Sequence, residues 1–99
     1  MTKQLLLLIT MSLLFTTIAA SQSDLETRRQ KLRQLLSEEW EYQLRTFPEL
    51  ATQVGDHRYN DKLSDYSADA IAKHNAHEID FVKRLEAIKT SDFPEQERL

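Results

Sequence analysis

The chain has 99 residues and no cysteine, which excludes disulfide bonds, thiolate metal sites and cysteine nucleophiles. Its formal net charge is −3 with acidic and basic residues interspersed, which excludes the basic surface expected of a nucleic-acid-binding protein. A single glycine and two prolines among many helix-forming residues predict an all-α chain with room for one small domain at most.

The first twenty residues have the three parts of a secretion signal. Lys3 precedes an apolar run over residues 5–18, and small residues follow at positions 19–21. A positive start, a short apolar middle and a small-residue exit are what export requires. We therefore predict that residues 1–20 are a cleavable signal peptide and that residues 21–99 are the mature chain.

The apolar run is short and rich in hydroxyl residues, whereas a membrane span needs about 20 apolar residues. Cleavage would leave Ser21 or Gln22 as the first residue. The mature protein is then expected to be exported, in the periplasm or outside the cell, with no stable membrane span. A retained membrane anchor is the alternative.

The next segment is typical of one amphipathic helix. Ser23 and Glu26 have the spacing of a capping box, which predicts a helix start near Asp24. Large apolar side chains then recur at helical spacing along one face: Leu25, Leu32, Leu36, Trp40, Leu44 and Phe47, with Leu35 and Tyr42 beside them. The aromatic members of this stripe are predicted to be core residues rather than a substrate platform.

A bend and a short helix are predicted next. Pro48 suits a first helical position, and Thr46 with Glu49 again has capping spacing. Gly55 suits the left-handed residue that stops a helix, so this helix should end near Val54.

Residues 56–66 are rich in turn-forming residues and predict a loop. Ser67 is a good cap, and Asp69 a favourable first-turn carboxylate, for a third helix that runs to about Lys89. The predicted apolar stripe of this helix consists of Ile71, Ala72, Ile79, Phe81, Val82, Leu85 and Ile88.

Ser91, Asp92 and Pro94 indicate the start of a last helix that reaches only Leu99. So short a helix does not stand alone, because nucleation costs more than one turn returns. The sequence therefore predicts a helical hairpin-like N-terminal segment, incomplete by itself, of a larger and mainly helical protein. Its first partner would be the remainder of its own domain.

Three stretches carry a family resemblance: residues 38–44 (Glu-Glu-Trp-Glu-Tyr-Gln-Leu), 47–52 (Phe-Pro-Glu-Leu-Ala-Thr) and 55–65 (Gly-Asp-His-Arg-Tyr-Asn-Asp-Lys-Leu-Ser-Asp). In order and spacing they are similar to the N-terminal region of the bacterial domain-of-unknown-function family 885. The likeness continues from Tyr66 to Leu99 and so covers nearly all of the predicted mature chain.

The resemblance implies a parent that is exported, mainly helical and related to zinc metallopeptidases. In that family a His-Glu metal motif lies far along the chain, beyond the residues present here. Zinc is therefore expected only in the full-length parent, with no cofactor in this segment. None of the family's catalytic residues maps onto a position of this sequence, and enzyme activity is left open.

His74, His77 and Glu78 suggest a metal site, because residues three and four apart share a helix face. A zincin helix needs His-Glu-x-x-His, and the position of its second histidine is held by Phe81. We therefore predict ordinary surface helix residues and no metal ligands, with a weak metal contact as the alternative.

The loop after Gly55 is the stronger candidate for a substrate-binding site. Its members are acidic, basic and aromatic residues within a short span: Asp56, His57, Arg58, Tyr59 and Asp61. They could orient a peptide carboxylate through the arginine or hold a water molecule through the acid and histidine. The interpretation that we favour is a structural corner, in which Arg58 pairs with Asp61 or Asp65.

Two functions remain open at this point. The first is an N-terminal scaffold segment of an exported metallopeptidase-like protein, which would hydrolyse peptides in its full-length form. The second is a secreted, non-enzymatic helical module that binds a partner through its apolar stripes.

Overall fold

The computed structural model describes residues 2–99, apart from the side chains of residues 5–8 and 12–16. This part of the chain forms three α-helices: α1 (Thr2–Thr46), α2 (Pro48–Gln53) and α3 (Ala68–Glu86). Short 3-10 turns lie at His57–Tyr59 and Glu95–Glu97. No β-strand occurs in residues 2–99, and the predicted all-α class is confirmed.

The chain divides into two compact units. One consists of Met1–Gln30 with Lys89–Leu99, and the other is Lys31–Ile88. The second unit contains the C-terminal part of α1 together with α2 and α3.

The predicted start of the first helix near Asp24 is wrong, because α1 is already helical from Thr2. Neither glycine nor proline occurs before Pro48, so no residue breaks the helix earlier. Ser23 is an interior position whose backbone oxygen accepts a bond from Thr27 Oγ1 at 2.9 Å. A capping box cannot form there, since interior amides already donate to the helix backbone.

The signal peptide remains a prediction, and Met1 and much of its apolar run lie outside the described side chains. Among the described residues, no helix has the length and apolar character needed to cross a membrane.

The buried face of α1 is rotated from the predicted stripe. Leu32, Leu35 and Leu44 are buried, whereas Leu36 and Trp40 are 45% and 48% exposed. Each four-residue step turns about 40° beyond a full helical turn, so a row spaced by fours winds out of the interface. Within this chain Trp40 is therefore not part of the core.

Helix α2 begins at Pro48 as predicted, and its last turn ends at Gln53, one residue earlier than expected. Gly55 has φ +84 and supplies the predicted left-handed stop. The predicted Thr46 cap does not form, since Phe47 holds the cap position without a side-chain bond. Glu49 bonds the backbone amide of Ser64 at 3.0 Å instead, which fastens the loop to α2.

Helix α3 begins as predicted, with Ser67 Oγ accepting from the amide of Ala70 at 3.2 Å. It ends at Glu86, earlier than Lys89. Four of the seven residues of the expected stripe are exposed, namely Ile71, Ala72, Ile79 and Val82. The half-buried positions of the helix are Ala70, His74, His77, Glu78, Phe81 and Leu85, so its inward face is more polar than predicted.

The predicted last helix is replaced by the single turn Glu95–Glu97, which has no side-chain cap. Asp92, expected at the start of that helix, binds Arg28 through both carboxylate oxygens at 2.8 and 2.7 Å. That bonding lowers the pKa of Asp92 to about 2. Arg28 also lies over the ring of Phe93, the most buried large side chain of the first unit at 1% exposure.

Because the buried face of α1 differs from the predicted one, the same substitution, Leu→Ala, should lower the free energy of unfolding by different amounts at two positions. Leu44→Ala removes a side chain that is 2% exposed, and it should lower the free energy of unfolding by about 2 kcal/mol or more. Leu36→Ala removes a side chain that is 45% exposed and should cost less than about 1 kcal/mol. Urea denaturation followed by circular dichroism measures both. Equal costs would mean that the face of α1 is assigned wrongly.

Candidate functional site

Tyr42 of α1 lies at the centre of the contact between α1 and α3. Its ring stacks on His77 with the centroids 3.4 Å apart and the planes 14° from parallel. Its hydroxyl lies 3.0 Å from His74 Nδ1, and the edge of that imidazole meets Phe47 at 5.1 Å between centroids. Both histidines therefore lie in the interface, and their interpretation as ordinary surface residues is wrong.

Two carboxylates and an amide continue this polar seam. His77 Nε2 lies 2.6 Å from Glu39 Oε2. The amide nitrogen of Gln43 donates to Glu39 at 2.6 Å and to Glu78 at 3.0 Å, so it joins one carboxylate from each helix. One ligand atom from each of Glu39, His77 and Glu78 falls within 4.8 Å of the other two. We call these three residues, with Tyr42 and Gln43, the seam cluster.

The electrostatics of the seam favour an ionised Glu39. Partial burial raises the pKa of its carboxyl group, and its side chain is only 13% exposed. Hydrogen bonds from Gln43 and His77 outweigh that effect, so the pKa lies below its usual value. The seam therefore holds a negative charge next to an imidazole that can accept a proton.

One flank of the seam is polar. Arg84 of α3 bonds Glu38 of α1 at 2.9 Å, and Gln34 donates to the same carboxylate at 3.0 Å. The bond from Arg84, aided by that from Gln34, lowers the pKa of Glu38. A cleft of about 270 Å³ opens here, lined by residues that include Glu39, His77 and Arg84. Solvent therefore reaches the seam cluster from this side.

The predicted loop site is held together by bonds other than the expected ones. Asp56 caps the turn at His57–Tyr59 by accepting from the amide of Arg58 at 3.0 Å. Its carboxylate also binds the Arg58 guanidinium at 2.6 Å, and that bonding lowers the pKa of Asp56. The second carboxylate on Arg58 is Glu41 of α1, at 3.0 Å. The expected pairing of Arg58 with Asp61 or Asp65 is therefore wrong.

The other loop residues are not gathered around one point. His57 Nδ1 lies 3.1 Å from the side-chain amide of Asn60. Tyr59 lies beneath the cations of Arg58 and Lys62, 5.3 and 5.9 Å from its ring centre. No hydrogen bond or ion pair in the described chain involves the Asp61 side chain. The guanidinium of Arg58 is already held by two carboxylates, which leaves it less suited to bind a peptide carboxylate.

A larger cleft, of about 440 Å³, lies between the end of α1 and the start of α3. Its walls are mainly apolar, and its lining includes Phe47, Leu63, Tyr66, Ile71 and His74. Leu63 and Tyr66 are strongly exposed beside it. His74 is part of this lining and places a polar imidazole beside the apolar walls.

The seam cluster joins residues that are 35 and 38 positions apart in the chain. The sequence analysis considered His77 and Glu78 only with residues of their own helix. A signal was nevertheless present, because Leu32, Leu35, Glu39 and Tyr42 follow a three-four spacing that marks the inward face of paired helices.

Comparison of the chain with models of protein families, with curated proteins and with solved structures gave no match.

The low pKa of Glu39 can be measured residue by residue. Ionised Glu39 should stabilise the folded chain above its ordinary pKa of 4.5, and this stabilisation should be lost as pH falls through the lower folded value. Carbon-13 NMR of the carboxyl groups should place the Glu39 midpoint below 4.5. His77→Ala should raise that midpoint, while His57→Ala should leave it unchanged. If His77→Ala leaves the Glu39 midpoint unchanged, the hydrogen bond between His77 and Glu39 is contradicted.

Proposed function

We propose that this chain is the N-terminal scaffold segment of an exported, metallopeptidase-like protein. The stretches similar to family 885 support the metallopeptidase part, and the signal-like first twenty residues support export. Zinc and peptide hydrolysis are assigned to the parent. The role of the segment is to supply a helical wall against which the parent packs.

One observation carries this proposal: each of the paired helices exposes large apolar side chains away from the ion pair between Glu38 and Arg84. Leu36 and Trp40 each lie two residues from Glu38, which turns them about 200° around α1. Val82 lies two residues from Arg84 in the same way on α3. We call Leu36, Trp40, Ile79 and Val82 the apolar flank, and all four are about half exposed.

An apolar flank on paired helices favours packing against further protein. Large patches of exposed apolar side chains are uncommon on free soluble domains, and they mark surfaces that bind another protein or another part of the same protein. Burial of these side chains contributes about 25 cal/mol per Å² of surface removed from water. Within a larger helical domain, another helix would pack against this flank and bury it.

The same flank supports a second candidate, the secreted interaction module, whose partner would be a separate protein. The DNA that follows codon 99 distinguishes the two. We expect an open frame that continues to a His-Glu zinc motif. A genuine stop codon would overturn the scaffold proposal and leave the interaction module.

The scaffold role predicts a context-dependent effect at Trp40. In the 99-residue chain Trp40 is half exposed, so Trp40→Lys should change its free energy of unfolding by less than about 1 kcal/mol. In the longer parent a lysine there would be buried without a partner and should cost about 3 kcal/mol or more. Thermal or urea unfolding of both proteins provides the measurement.

Gln34→Lys on the polar flank is the matched control, since it introduces the same charge on the same helix. Its cost should be small in both proteins. If Trp40→Lys is equally mild in the parent, the apolar flank is not the packing surface.

Export with cleavage of the signal peptide predicts which residue begins the mature protein. The purified exported protein should begin at Ser21 or Gln22, because the apolar run is short and small residues follow it. Intact-mass spectrometry reads this directly. Most molecules retaining residues 1–20 would show that the segment is an anchor rather than a cleaved signal.

A further inference from the structure

We propose that Glu39, His77 and Glu78 form a binding site for a divalent transition-metal ion of the zinc class, between α1 and α3. The inference does not depend on the proposed scaffold role. It concerns a site built from both helices, unlike the single-helix zinc motif that the sequence lacks.

The three residues offer suitable donor atoms that lie close together. One imidazole nitrogen and two carboxylate oxygens lie within 4.8 Å of one another. Ligand atoms about 2.1 Å from a tetrahedral ion are roughly 3.4 Å apart. His77 Nε2 and Glu39 Oε2, at 2.6 Å, must therefore separate by less than an ångström, within reach of small side-chain rotations. A water molecule from the adjacent 270 Å³ cleft can complete the coordination.

The surroundings hold these donors in place before any ion arrives. The Gln43 amide bonds one oxygen of Glu39 and one of Glu78, which keeps the two negative groups together. Tyr42 stacks on the His77 ring and limits its rotation. Partners of this kind, which orient the ligands without touching the metal, contribute strongly to affinity.

The charges favour a cation at this place. Two carboxylates from different helices converge beside the His77 imidazole. The Arg84 guanidinium on the same cleft is already paired with Glu38, and the His74 imidazole lies 3.8 Å from Glu78. The cation would take the place of the proton between His77 and Glu39. The imidazole favours zinc, cobalt, nickel or copper over magnesium and calcium, which prefer oxygen ligands alone.

Zinc titration of the purified chain by calorimetry tests the proposal. We expect one equivalent of Zn²⁺ to bind, and His77→Ala or Glu39→Gln to weaken the binding by about tenfold or more. Gln43→Met, which removes the amide between the carboxylates, should weaken it by roughly tenfold. His57→Ala is the matched control, since His57 bonds Asn60 outside the cluster, and it should leave the affinity unchanged.

Co²⁺ supplies an independent measurement, because ordered nitrogen and oxygen ligands give it visible absorption bands that Glu39→Gln should diminish. Circular dichroism establishes that each variant keeps its helices, and Glu39→Gln decides the test if His77→Ala does not fold. The proposal is overturned if wild type and Glu39→Gln bind Zn²⁺ equally, or if His57→Ala lowers the affinity as much as His77→Ala does.

Discussion

The stacking of Tyr42 on His77 is the contact on which the second unit depends. Two helices alone leave each other's flanks in water, and ordering them costs roughly 1.5 kcal/mol per residue. Few large side chains in unit two are fully buried, and α3 contributes none of them. A parallel ring pair at 3.4 Å fixes the position of α3 along α1 more narrowly than aliphatic contacts would. The surrounding hydrogen bonds then depend on that register.

A polar interface has consequences that an aliphatic one lacks. The pKa of Glu39 is lowered by its hydrogen bonds with Gln43 and, across the interface, with His77, so the strength of the contact between α1 and α3 varies with pH. The carboxylate of Glu39 is compensated by Gln43 and His77, and removing either would leave a largely buried charge with fewer partners. The residues that join the two helices thus include ones that carry ionisable groups.

Features set by neighbours in sequence could be predicted, and features set by distant residues could not. Pro48, Gly55 and Ser67 fix their own backbone geometry or bond an amide three residues away, so the start of α2, the left-handed stop and the start of α3 were all predictable. Trp40 was predicted to be buried because hydropathy ranks an indole as more apolar than a carboxylate. The inward positions include Glu39 and Tyr42, and their partners lie on α3.

The same limit explains the candidate sites. The loop looked like a site because its charged residues are adjacent in sequence, yet the second carboxylate on Arg58 comes from Glu41, 17 residues earlier. Thr52 bonds Asn60 at 2.8 Å, so the loop is also tied to α2. These bonds make the loop a structural corner. Conversely, Glu39 is distant in sequence from His77 and Glu78, and the three residues are close in space only because α3 packs against α1.

The apolar flank lies beside the seam cluster on α3, because Val82 follows Glu78 by one helical turn. Glu78 is less covered than Glu39, with 41% of its side chain exposed. A helix packed on the apolar flank would remove water from the neighbouring seam, and two carboxylates that lose water attract a cation more strongly. By reciprocity, an ion held in the seam would then favour that packing by the same free energy. Scaffold and metal site would in that case be two coupled properties of one pair of helices.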